Sequence, residues 1–182
     1  ISETVERLRG EGRNVYRPRE DDTVDLDGLA YAESALEIVQ QSRELGIDPA
    51  WLYLCALDTT QAGIVLGLRY VESDTKVRGI SPFEGWEGRF EEMARIANQG
   101  ARRAGLDIEL GAGDFDNDNS YVGERYGIPT PAGLEAIRLV ARTEGLLMDP
   151  VYTSKAMSAL MDHIRSGKLT KDDGPVVFLH TG

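Results

Sequence analysis

The sequence predicts an α/β domain of three layers built on a mostly parallel, open sheet. Three observations point there. Short apolar runs alternate with segments of helical period along nearly the whole chain. The run at 51–57, Trp-Leu-Tyr-Leu-Cys-Ala-Leu, is apolar without a break, as a strand covered on both faces is. The 182 residues suffice for one core of ordinary size, with no repeat, low-complexity tract or linker to divide them.

Residues 3–10 are expected to form a short helix, and 14–18 a strand leading into the acidic loop Glu20-Asp21-Asp22. Asp27 is placed to cap a helix reaching about Leu45, which Gly46 stops. After the strand at 51–57, a helix over 60–71 is apolar at Ala62, Val65, Leu66 and Tyr70. A strand at 76–82 precedes an amphipathic helix at 85–104, where Phe90, Met93, Ile96, Ala97 and Ala101 recur at helical spacing. A further short strand is expected at 107–110, followed by polar turns through 111–120. The helix at 131–144 carries Pro131 in its first turn. In the helix at 154–166, Met157, Leu160, Met161 and Ile164 form the expected apolar face, with His163 exposed. A last strand runs over 175–179, with His180 and Thr181 at its end.

Composition narrows the function. Lys+Arg number 20 against 31 Asp+Glu, a net charge of −11, which speaks against a nucleic-acid surface because phosphate binding needs a basic stripe. No apolar run approaches the ~18 residues of a membrane-crossing helix. The first residues lack the charged-then-apolar pattern of a signal peptide. The single cysteine, Cys55, excludes an internal disulfide and fits a reducing, cytoplasmic compartment. Ile1 in place of Met leads us to expect a fragment or a processed chain.

Four places could carry chemistry. A buried strand ending near Leu57, followed by Asp58-Thr59-Thr60 and a helix, has the geometry of an anion site, where free amides and hydroxyls can hold a phosphate. Asp58 is equally a good N-cap, and as a cap it competes for the same amides. Tyr126 and Tyr152 each sit beside a proline turn, where packing is the ordinary role. A phenol titrates near ~10, so as a base it needs cations or hydrogen bonds that favour phenolate, and otherwise it is a donor. Thr181 ends the last strand, at the sheet edge where open α/β folds bind ligands. Asp114, Asp116 and Asp118 imitate the start of a calcium loop, but Asn119 stands where glycine is required and Arg125 where glutamate is. Cys55, His163 and His180 show no metal-ligand spacing, so no metal is expected.

The motifs Tyr126-Gly127-Ile128-Pro129 and Asp149-Pro150-Val151-Tyr152, the surrounding stretch 142–157, and Val-Phe-Leu-His-Thr-Gly at 177–182 together resemble one family. It comprises the pyridoxal-phosphate enzymes D-cysteine desulfhydrase and 1-aminocyclopropane-1-carboxylate deaminase, of the tryptophan synthase beta-like, fold type II kind. The resemblance covers nearly the whole chain. It implies the C-terminal part of the large domain of such an enzyme, a pyridoxal 5'-phosphate cofactor, a small amino-acid substrate, and a homodimer at full length. It places Leu57, Asp58, Thr59 and Thr60 on the loop that grips the cofactor phosphate, with Thr59-Thr60-Gln61-Ala62-Gly63 matching its second half. Asp58 stands where the family usually has glycine, so its side chain is expected to turn away or to weaken cofactor binding. Tyr126 and Tyr152 are implied to face the substrate, with Thr153 beside it, and Thr181 to face the pyridine nitrogen.

In the cyclopropane-opening branch the position of Thr153 is a glutamate and that of Thr181 a leucine. Two threonines favour the desulfhydrase branch, which releases sulfide, ammonia and pyruvate from D-cysteine. L-cysteate sulfo-lyases share the architecture, and a diverged, non-catalytic homologue is the reading from another class. The family's cofactor-bearing lysine, and the serine and asparagine loop that meets the substrate carboxylate, align upstream of Ile1. Lys76, Lys168 and Lys171 do not match it, and Lys155 matches a different family lysine.

Overall fold

In a computed structural model, residues 1–17, 23–56 and 58–181 are described. Leu57 and the acidic loop, two of the sequence expectations, lie outside these. The elements in order are α1 (Ser2–Gly10), α2 (Val24–Glu44), β1 (Trp51–Cys55), α3 (Thr59–Tyr70), β2 (Lys76–Ile80), α4 (Arg89–Arg103), β3 (Asn117–Asp118), α5 (Pro131–Thr143), α6 (Thr153–Arg165) and β4 (Val176–Leu179). The sheet has the order β3-β2-β1-β4, and each adjacent pair is parallel. All four strands therefore end on the same edge.

The unbroken apolar run of β1 is explained by its two covered faces. Leu52, Leu54 and Ala56 pack with Ala35 of α2 and Ile64 and Leu68 of α3. Tyr53 and Cys55 point the other way, to Leu160 and to Ala156 and Ala159 of α6. The period of two along the strand thus divides one sequence between two layers. α4 joins the first layer through Met93, Ile96, Ala97 and Ala101, packed on Ala62, Val65 and Leu66 of α3.

The structure corrects four expectations. Residues 14–17 form no strand. α2 begins at Val24 with Thr23 as its N-cap, placing Asp27 inside the first turn. The reason is a long-range ion pair: Asp25, wholly buried, accepts from Arg103 Nε at 2.5 Å and Gln99 Nε2 at 3.3 Å, which docks the start of α2 on α4. The segment 107–110 is not a strand either. Leu110 spends its amide and carbonyl on the Asn98 side chain, at 2.8 Å each, so neither is left for a ladder. The edge strand is instead Asn117–Asp118, inside the tract that composition marks as turns.

The fourth correction concerns α6. Its buried face includes Lys155, Ala156, Ser158, Ala159, Leu160 and His163, while Ile164 is 55% exposed. His163 is buried, and its Nδ1 lies 2.9 Å from the Tyr53 hydroxyl. Burial above all, with Arg78 and Lys168 nearby, lowers its pKa and keeps the ring neutral. Small residues face the sheet because the helix lies close upon it, and close approach decides over hydrophobicity here.

Candidate active site at the carboxyl edge of the sheet

The carboxyl edge gathers the residues singled out in the sequence. Asp58 and Thr59 follow β1, Phe83 follows β2, the segment bearing Tyr126 follows β3, and Thr181 lies exposed two residues beyond β4. α6 begins at this edge, since its early residues Ala156 and Ala159 pack on Cys55 and Ile80, at the ends of their strands, and its later Leu160 on Tyr53. Tyr152, its N-cap, is thereby brought to the same place. A cleft of about 260 Å³ lined by Trp51, Arg69, Lys76, Asp114 and Asp116 opens at the opposite, amino edge.

Tyr126 and Tyr152 meet directly. Their hydroxyls are hydrogen-bonded, their rings lie edge-on with centroids 6.0 Å apart, and both side chains remain partly exposed. Phe83 stacks on Tyr126 at 4.3 Å and 16° between planes. Nothing in its sequence surroundings signals that role, because the contact spans two loops. The hydrogen bond with Tyr126, then desolvation, then the negative charge of Asp149 push the Tyr152 phenol above its ordinary pKa. Tyr152 holds its proton, so the geometry suits a donor rather than a base.

Asp149 builds the turn beneath Tyr152. Its carboxylate accepts from the amides of Val151 at 2.6 Å, Tyr152 at 2.7 Å and Thr153 at 2.7 Å, and from the Thr153 hydroxyl at 2.9 Å. Burial alone would raise its pKa, but these donors outweigh it and hold the group below the usual carboxylate range. Thr153 itself is wholly buried. Its hydroxyl belongs to this turn, donating to Asp149.

At the start of α3, Asp58 is the N-cap and its carboxylate accepts from the Thr59 amide. Its backbone has φ 47° and ψ −113°, a left-handed region that favours glycine and strains other residues. Behind this turn, Gln61 Nε2 donates to the Asp116 carbonyl at 2.8 Å, while Asn117 Nδ2 donates to Gln61 Oε1 and the Ala56 carbonyl, each at 2.8 Å. A Cβ on Gly79 would fall 2.0 Å from Gln61 Oε1. This buried network ties α3 to the ends of β1 and β3. Gly79 within a strand was its one trace in the sequence.

A phosphorylated cofactor fits this edge in most respects. The first turn of α3 offers amides with no carbonyl of its own helix to take, and Thr59 and Thr60 add hydroxyls. Asp58 is the dissent, because its carboxylate sits on one of those amides. The fold is that of an open, parallel α/β domain. The chain matches the model of the pyridoxal-phosphate dependent enzymes over residues 2–182 and belongs to that family. It is 36% identical over 180 residues to a D-cysteine desulfhydrase of Salmonella typhi, covering 97% of this chain and 52% of that protein. A D-cysteine desulfhydrase of Salmonella paratyphi C is 34% identical over 176 residues, with the same coverage. Among solved structures, one described as an ACC deaminase homologue superposes with a TM-score of 0.84 at 28% identity, over 100% of this chain and 53% of its own. The chain spans about half the length of the curated relatives it matches.

Proposed function

We propose that this chain is the C-terminal portion of the cofactor-binding large domain of a D-cysteine desulfhydrase, which converts D-cysteine and water to sulfide, ammonia and pyruvate. The observation that carries this reading is the hydrogen-bonded pair Tyr126–Tyr152 at the carboxyl edge of the sheet, in a chain related to desulfhydrases over nearly its whole length. The remaining half of the enzyme supplies the lysine that carries the cofactor and the opposite wall of the site. The full-length protein is a homodimer of the reducing cytoplasm, with no nucleic-acid partner, a reading that the net charge of −11 on these 182 residues supports.

Bound pyridoxal phosphate withdraws electrons from the substrate Cα. Thr59, Thr60 and the adjoining amides would hold its phosphate, and the Thr181 hydroxyl would be the partner for its pyridine nitrogen. The Tyr152 hydroxyl, kept protonated by its surroundings, gives its proton to the sulfur that leaves Cβ, and Tyr126 orients it. The full-length enzyme is expected to release sulfide from D-cysteine and to form no 2-oxobutyrate from 1-aminocyclopropane-1-carboxylate. Assays of both substrates side by side decide this, and 2-oxobutyrate without sulfide would reverse the assignment to the deaminase branch.

Asp58 weakens cofactor binding in this reading. A carboxylate ~4 Å from a phosphate opposes it by about 4 kcal/mol per charge pair at an effective dielectric of ~20. Asp58→Gly also relieves the left-handed backbone. In the full-length protein we expect it to tighten pyridoxal phosphate at least tenfold, about 1.4 kcal/mol, while pyridoxal, which has no phosphate, changes little. Equilibrium dialysis with both ligands gives the ratio; an unchanged ratio would mean that Asp58 does not meet the phosphate.

A further inference from the structure

Among the described residues, Lys155 is the largest of the wholly buried side chains. Lysine is seldom buried outright, and a buried ammonium is retained only where something pairs with it. Its Nζ donates to the Val122 carbonyl at 2.7 Å. Val122 belongs to the segment between β3 and α5 that carries Tyr126. Lys155 stands one helical turn after Tyr152, on the same flank of α6. The neighbouring Tyr121 donates to Asp162 Oδ2 at 2.5 Å, two turns further along α6, and its ring meets His163 edge-on at 5.7 Å. The segment is thus fastened to α6 at two points, and the phenol pair forms a third.

We propose that Lys155 is a positioning residue for the Tyr126–Tyr152 pair: its ammonium, fixed on the Val122 carbonyl, holds the Tyr126 segment in register with the start of α6, so that the two hydroxyls meet. The inference rests on the reading that this pair acts on the substrate. Of the two fastenings, the Lys155 one is nearer the pair and inaccessible to water, so nothing can replace the cation once it is removed. Tyr121, whose partner Asp162 is more exposed, secures the far end of the segment.

The test is a double-mutant cycle in the full-length, cofactor-loaded enzyme with D-cysteine. Lys155→Met keeps the length of the stem and removes the cation. It is expected to lower kcat at least tenfold with KM within threefold of the parent, in a protein that still melts cooperatively above the assay temperature. In a Tyr152→Phe background the same change is expected to cost less than threefold, because the pair it aligns is already broken. A full tenfold loss in that background would overturn the proposal, assigning Lys155 to the general stability of the fold, as would kcat within twofold of the parent for Lys155→Met alone. Should Lys155→Met fail to fold, Lys155→Leu, which likewise removes the donor to the Val122 carbonyl, takes its place in the same cycle. If Tyr152→Phe alone leaves kcat unchanged, the catalytic reading of the pair fails instead, a result distinct from failure of the positioning role.

Discussion

Tyr152→Phe in the full-length enzyme is expected to lower kcat for elimination about a hundredfold, the usual contribution of a positioned proton donor. The change removes one oxygen and little else. The turn is built by Asp149 from main-chain amides and the Thr153 hydroxyl, none of which involves the phenol. The substituted ring would keep its place at the start of α6, while Tyr126 would lose its partner but keep its stack on Phe83. Cofactor absorbance should therefore remain near that of the parent while sulfide release falls. Steady-state kinetics beside an absorbance spectrum reads both. Activity within a factor of two of the parent would make Tyr152 a packing residue.

Gly63→Ala is expected to destabilise the protein by about 3 kcal/mol, from overpacking against a rigid neighbour. A Cβ on Gly63 would lie 2.0 Å from the Gly28 carbonyl oxygen and 2.6 Å from Tyr31 Cβ. One turn on, a Cβ on Gly67 would lie 2.4 Å from the Ala32 carbonyl oxygen. α2 and α3 thus touch backbone to backbone along a stripe of small residues, and neither carbonyl can swing aside as a side chain could. The gain of ~1 kcal/mol that alanine brings to a helix interior is smaller than the cost of separating the helices. Thermal melting should show a midpoint lower by about 6 °C or more at roughly 2–4 °C per kcal/mol. A midpoint within a degree of the parent would mean that α2 and α3 can part without loss. Because the first turn of α3 carries Thr59 and Thr60, the same variant should also bind cofactor less tightly.

Much of this architecture is legible in local patterns. The unbroken apolar run gave β1, and helical periodicity located α3 and α4, because one buried strand and one amphipathic face impose a period on their own residues. Pro131 fixed the start of α5 for the same local reason, and the structure adds Thr130 as its cap, accepting from the Gly133 amide at 3.0 Å. The two tyrosine motifs were visible as well, each with its proline turn.

Only the tertiary structure decided how these parts meet. The strand at 117–118 takes its ladder bonds from β2, and no propensity of Asn-Asp would place it there. The inward face of α6 was set by the close approach of the sheet, which chose Ala156 and Ala159 over Met161 and Ile164 and sent Lys155 and His163 into the interior. Tyr126 and Tyr152 are 26 residues apart, and their hydroxyl contact exists because one follows β3 and the other begins α6. A sequence states which groups are present and the local periods they obey. Pairing between distant groups follows from the parallel sheet, which turns every strand end toward one edge and leaves the choice of neighbours there to packing.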